Sequence, residues 1–138
     1  MSDSWTHETE RYRYANREDI PAFIEMLSDP EVGRWLWFTP IPPDGVEQYF
    51  GPLLDRQATE RAAWEIPRTA VFSVEDFTGE FLGQGAVVAV EASPHGCEIG
   101  FQLMRTAWGR VVGTRLGQFL CAYAIELCDA YRIEGGCL

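Results

Sequence analysis

Cys97-Glu98-Ile99-Gly100-Phe101-Gln102-Leu103-Met104-Arg105-Thr106-Ala107-Trp108-Gly109-Arg110-Val111-Val112-Gly113-Thr114 decides the reading of this chain. From its left end it is a strand, then a short basic turn bearing glycines, then the opening of a long helix. Unpaired N–H groups and the positive end of the helix dipole collect at a helix N-terminus. A glycine loop in front of that terminus makes it a seat for phosphate. The apolar strand ahead of the turn is suited to hold the remainder of a long, phosphate-bearing ligand. The combination points to a nucleotide-cofactor site, with a coenzyme A thioester as the first choice.

Working outward, Arg11–Ala15 alternates as a strand does and leads to Asn16, a helix cap with acidic residues in the following turn. Ile20, Phe23, Ile24 and Leu27 then repeat at helical spacing. Ser28-Asp29-Pro30 interrupts, and residues 31–38 read as a second short helix or turn. The proline-rich loop Thr39–Gly45 precedes another helix, which runs to about Ala63 with Asp44 as its expected cap and Val46, Tyr49, Phe50, Leu53 and Leu54 along one side. After Pro67 the period changes to three hairpin-linked strands, at Thr69–Val74, Phe81–Glu91 and Cys97–Met104. The last helix runs from Thr114 to about Tyr131, with Leu116, Phe119, Leu120, Tyr123 and Leu127 on its apolar face. A final strand is expected at Arg132–Leu138. This last β-α-β step implies one parallel pair in an otherwise antiparallel sheet. The fold class expected is α+β, of the α/β sandwich type: a single domain over 1–138 with a mixed, mostly antiparallel sheet flanked by helices, ending after a fifth strand.

Composition narrows the possible functions. A chain of 138 residues, 46% hydrophobic and 23% charged, has the make-up of one globular domain. No apolar run approaches the roughly 20 residues that span a bilayer, and the start lacks the basic and apolar regions of a signal peptide. The net charge of −10 argues against nucleic acid as a partner. That charge is uneven: eighteen acids and seven arginines precede Ile99, against three acids and four arginines from there on, so the non-acidic part contains the proposed phosphate turn. Cysteines 97, 121, 128 and 137 form no C-x-x-C pair, and with two scattered histidines there is no metal signature. A reduced, cytoplasmic protein without a metal is expected.

These motifs, in this order and spacing, resemble the GNAT N-acetyltransferases, and within them the ribosomal-protein alanine acetyltransferase (RimJ/RimL-like) branch. Arg34-Trp35-Leu36-Trp37-Phe38 followed by Pro40 is similar to that branch's segment between its first two helices. Glu98-Ile99-Gly100-Phe101 is similar to its fourth-strand E-I-G-[YF], and Trp108-Gly109-Arg110-Val111-Val112-Gly113-Thr114 to its acetyl-CoA loop, usually W-G-[KR]-G-[YLV]-[AG]-T. The resemblance implies transfer of an acetyl group from acetyl-CoA to a primary amine, either a protein N-terminus or a small cationic amine. It also implies that the main chain of Leu103, Met104 and Arg105 faces the pantetheine arm. The amides of Gly109, Arg110, Val111, Val112, Gly113 and Thr114 would then hold the pyrophosphate, with the Arg110 guanidinium adding a charge-assisted contact.

Such chemistry asks for a base to take the amine's proton, a hydrogen-bond donor for the developing oxyanion, and positioning. Glu98, acting through water, is the candidate base, and it shares a strand face with Gly100 and Gln102. Tyr123 and Tyr131 are the phenols that could donate a proton. Trp35 and Trp37 are candidate walls of the acceptor pocket, and the acidic surface favours a cationic acceptor. Two departures from the family pattern stand out. Val111 occupies the place of the loop's central glycine, where close approach or a positive φ would be costly for valine. The chain stops at Leu138, where the family continues with an Asn-x-x-Ser motif, a helix and two strands. Hence the alternatives of a catalytically impaired binding or assembly module, or a fragment of a longer acetyltransferase. A homodimer that buries the exposed sheet edge or the 69–104 hairpin region is expected on the same ground.

Overall fold

Tyr12 and Tyr14 alternate with Arg11 and Arg13, which gives a strand one apolar face. The computed structural model, which describes residues 3–7, 9–34 and 41–135, forms it as β2 (Glu10–Tyr14). A preceding strand, β1 (Ser4–His7), pairs with it as a hairpin, so the sheet has six strands rather than the five expected. Four residues that alternate weakly give no local signal. What holds β1 is tertiary: the Trp5 ring packs edge-on against Tyr14, Phe72 and Tyr123 and tilted against Phe119, at 5.3–6.0 Å between centroids.

Asn16 caps as expected. Its side chain accepts the Glu18 N–H while the Asp19 carboxylate accepts the Asn16 N–H, each at 2.9 Å. A single 3₁₀ turn leads into α1 (Ile20–Ser28), which buries Ile20, Phe23, Met26 and Leu27. Pro30 ends that run, and α2 (Pro30–Gly33) starts on an Asp29 cap. The next helix, α3 (Pro43–Ala62), is capped by extended Pro42, whose carbonyl accepts the Gly45 and Val46 N–H groups. Asp44, expected to cap it, lies inside the first turn instead, where its charge complements the helix dipole.

Strands β3 (Ala70–Asp76), β4 (Phe81–Ala89) and β5 (Gly96–Leu103) form an antiparallel meander. Then come α4 (Val112–Cys128) and β6 (Arg132–Glu134), which pairs parallel to β5. The strand order is β1-β2-β3-β4-β5-β6. Strand alternation sends Ala70, Phe72 and Val74 to the α4 side and Val71 to the α1–α3 side, so the sheet is sandwiched between two apolar layers. On α4 the buried line runs Leu116, Leu120, Ala124, Cys128 in steps of four, which leaves Leu127 39% exposed rather than on the core face. Gly85 lets that helix lie close on β4: a Cβ there would sit 3.0 Å from Leu116 and 3.2 Å from Leu120. Among the described residues no helix is long and apolar enough to cross a membrane.

One buried side chain fixes where α3 lies. Beyond the Tyr14–Phe72 pair β2 and β3 keep one bond, Ala15 N–H to Val71 O at 2.9 Å, and buried Gln57 on α3 takes the place of the return bond. Its amide donates to Ala15 O (3.0 Å) and Val71 O (3.1 Å) and accepts the Val71 N–H (2.8 Å). Gln57→Leu keeps the apolar volume but orphans the Val71 N–H and the Ala15 carbonyl. The expected cost is about 2–4 kcal/mol, measurable as a lowered midpoint in urea unfolding.

Candidate active site

Leu103 ends β5, and a 3₁₀ turn at Arg105–Ala107 leads to the loop before α4. Gly109 takes φ +74, and Val111, the residue before the helix, takes φ +62, ψ +7. A left-handed conformation is what glycine supplies freely and a β-branched residue resists. The expected cost at Val111 is therefore present. The Val111 side chain does not stopper the loop, because it is 58% exposed. Valine has no capping oxygen, and the first bond inside the helix is Arg115 N–H to Val111 O at 3.1 Å. The N–H groups of Val112, Gly113 and Thr114 thus reach the helix mouth with no protein acceptor among the described residues. No acid lies in that first turn.

Arginines brace this loop from three sides. Arg105 grips Asp29 with two bonds, at 2.8 and 2.5 Å, tying the loop to the α1–α2 corner. That contact holds the Asp29 carboxyl below the usual carboxylate range. Arg110 donates to Thr106 O at 3.2 Å and lies exposed beside the helix mouth. Arg115 reaches under the sheet to the fully buried Glu10, with 3.0 and 3.1 Å to its two oxygens, and so pins the first turn of α4 to β2.

The β5 main chain has one covered edge and one open one. Met104 N–H donates to Leu82 O at 2.8 Å, and Val90 N–H to Gly96 O at 3.1 Å, with an unbroken register between. Alternation then turns the peptide groups of Glu98, Gly100 and Gln102 toward β4, and those of Phe101 and Leu103 toward the other edge. β6 covers that edge only as far as the Glu98–Glu134 pair. Trp108 Nε1 donates to Leu103 O at 3.2 Å. The N–H groups of Phe101 and Leu103 have no acceptor among the described residues. Of the segment expected to line a pantetheine arm, Leu103 offers an open N–H, the Met104 N–H is taken by Leu82, and Arg105 points its side chain to Asp29.

Side chains of β5 divide between two layers, as the alternation predicts. The Phe101 ring packs on Gly113 of α4, where a Cβ would sit 3.2 Å from it. Glu98, Gly100 and Gln102 face the α1–α3 side, where they floor a cavity of about 480 Å³. The floor is three cross-strand pairs: Val88 with Glu98, Ala86 with Gly100, and Gln84 with Gln102. Gly100 opposite Ala86 makes the space, since a Cβ on Gly100 would meet nothing within 4 Å. Leu27, Tyr49, Phe50, Leu53 and Val71 form much of the wall. No described residue hydrogen-bonds or ion-pairs with the Glu98 carboxylate. A water-mediated base would need that freedom.

The other sequence candidates fare differently. Trp35 and Trp37 lie outside the described residues. Tyr123 is buried on the α4 face and donates to Pro67 O at 2.7 Å while sharing a 2.9 Å bond with Tyr14. Desolvation pushes its phenol far above the ordinary range, so it is a core residue rather than a proton donor. Tyr131 is 81% exposed and stacks on His95, away from the cavity. Gln84 and Tyr49 were missed as lining residues. The signal for Gln84 is its register opposite Gln102, which only the β4–β5 turn fixes. No group of three metal-ligating side chains exists among the described residues.

The family pattern of the acetyltransferase (GNAT) domain matches residues 11–138. Among solved structures, the fold is similar to an acetyltransferase (GNAT family) from Bacillus anthracis, with TM-score 0.76 and 14% identity over 96% of this chain and 72% of that one. It is similar to spermidine N-acetyltransferase from Vibrio cholerae in complex with CoA and spermine, with TM-score 0.73 and 12% identity over 92% and 70%. It is similar also to ribosomal-protein-S5-alanine acetyltransferase from Vibrio fischeri, with TM-score 0.67 and 15% identity over 96% and 72%. At these identities the likeness is one of fold, and the chain spans about seven tenths of the length of each. No curated protein matches the sequence.

The strain at Val111 is removable. Left-handed backbone costs a non-glycine residue about 1–2 kcal/mol, and glycine's extra freedom in the unfolded chain returns part of that. Val111→Gly is expected to stabilise the protein by about 0.5–1 kcal/mol in denaturant unfolding. Because Val111 already holds a glycine-like conformation, affinity for acetyl-CoA should stay within about threefold of the parent by calorimetry.

Proposed function

The chain belongs to the GNAT acetyltransferase family, and from that premise we propose that it moves an acetyl group from acetyl-CoA to a primary amine. The observation that carries this reading is a juxtaposition on one strand. The open N–H edge of β5 and the uncapped start of α4 line one path, and the Glu98 cavity lies on the face beside it. A long ligand with a diphosphate at one end and a thioester at the other fits that path, while the amine enters from the cavity.

In this reading the diphosphate rests on the amides of Val112, Gly113 and Thr114, with Arg110 adding a charge. The pantetheine arm runs along β5 and takes hydrogen bonds from the Phe101 and Leu103 N–H groups, as an added strand would. The amine lies above Gly100, where the missing side chain leaves room. Glu98 takes its proton through a water so that the neutral nitrogen attacks the thioester carbonyl. The C–N bond forms, the C–S bond breaks, and the leaving coenzyme A thiolate takes up the proton that the attacking nitrogen sheds as it becomes an amide. Most of the barrier lowering comes from holding two reactants against the same strand.

Two measurements test this. Calorimetry with acetyl-CoA should show binding, and a thiol-release assay with primary amines should show turnover. Glu98→Gln should lower kcat about 100-fold or more while acetyl-CoA still binds. No binding of acetyl-CoA would defeat the reading, binding without turnover on any amine would favour a binding module, and an unchanged kcat would remove Glu98 from the role of base.

A further inference from the structure

The lining of the cavity restricts the kind of amine. Resting on the acetyl-transfer reading above, we propose that the acceptor is a singly charged primary amine on an apolar body, carrying at its far end a neutral group that hydrogen-bonds the side-chain amides of Gln84 and Gln102.

Charge comes first. Among the described residues that line the cavity, Glu98 is the one carboxylate, and the walls offered by Leu27, Phe50, Leu53 and Val71 are apolar. One ammonium can sit against Glu98. A second ammonium further in would be desolvated against hydrocarbon with no counter-charge, which is strongly unfavourable. Four acids on the surrounding elements are engaged by arginines, Asp29 by Arg105, Asp19 by Arg13, and Asp55 and Glu47 by Arg17, and neither these nor Glu25 of α1 and Asp44 of α3 line the cavity. The net charge of −10 can therefore draw polycations to the surface without giving them a second anchor inside.

Polarity at the other end comes second. Gln84 is 3% exposed, yet its side-chain amide has no hydrogen-bond partner among the described residues and lines the cavity. The buried side-chain atoms left without a partner among the described residues are Tyr12 Oη and Ser73 Oγ, so the Gln84 amide opens on the cavity, where water or the polar group of a ligand can pair with it. It stands directly across from Gln102, so two amides, each with donors and an acceptor, converge on one spot. Glu98 and Gln102 are four residues apart, roughly 13 Å along the strand. With each side chain reaching inward, the span between ammonium and neutral group is shorter than that and suits a six- to eight-atom apolar body.

Three probes of similar length separate the possibilities: N-(6-aminohexyl)acetamide, octylamine and 1,8-diaminooctane. Their binding to the unmodified chain is measured by calorimetry without acetyl-CoA, so the result does not depend on turnover. The acetamide is expected to bind at least about tenfold more tightly than the diamine, with octylamine between them. Gln84→Met should cut the acetamide's advantage over octylamine by about fivefold. The proposal is overturned if the diamine binds as tightly as the acetamide, if no probe binds, or if the Gln84 change leaves the ratio where it was. Should Gln84→Met fail to fold, the ranking on the unmodified chain decides alone. Loss of acetyl-CoA binding with this ranking intact would sink the acetyl-transfer reading and not the selectivity, and the reverse pattern would sink only the selectivity.

Discussion

A strand has two hydrogen-bonding edges, and β5 uses one completely and the other in part. β4 pairs along its whole length, while β6 stops at Glu134 opposite Glu98. The Phe101 and Leu103 N–H groups therefore look out over an edge where no described residue offers them an acceptor, and where Trp108 reaches only the Leu103 carbonyl. A few residues on, α4 starts with a capping residue that has no side-chain oxygen to offer. Main-chain donors that a folded protein would ordinarily satisfy internally are lined up along one path. Other features of the structure hold that path still: Arg115 on buried Glu10, Arg105 on Asp29, and Gly85 beneath α4.

The same strand serves a second purpose through its side chains. The pleat sends Ile99, Phe101 and Leu103 to the α4 layer and Glu98, Gly100 and Gln102 to the α1–α3 layer. The donor path and the acceptor cavity are thus two consequences of one alternation, separated by the thickness of a strand. Gln57 matters here although it is far from the reacting groups. It seats α3 against β2 and β3, and α3 supplies Tyr49, Phe50 and Leu53 to the cavity wall.

Much of this is legible in the sequence. The alternation of Glu98 through Leu103, the turn at Trp108–Val111 and the helix beyond it follow from local periodicity and glycine placement. The Asn16 cap with acids behind it is equally local. The parts that were not legible depend on contacts between distant residues. β1 is too short to announce itself, and forms because Trp5 finds an aromatic cluster from three other elements. Tyr123 looks like a spare phenol until Pro67 and Tyr14 claim its hydroxyl. Leu127 fails to be core because the buried line of α4 steps by four and drifts past it. The net charge favours a cationic acceptor. A total cannot stand for a site: several acids beside the cavity are paired with arginines, and among the described lining residues the carboxylate is that of Glu98.

The claim on which all of this turns is that ligand binding completes the open edge of β5 and the start of α4. Amide hydrogen exchange with and without coenzyme A reads it residue by residue. The account predicts slowed exchange at Phe101 and Leu103 and at Val112, Gly113 and Thr114. Gly100 and Gln102, already bonded to β4, should change little. Protection that falls evenly along 98–103, or that spares residues 112–114, would contradict it.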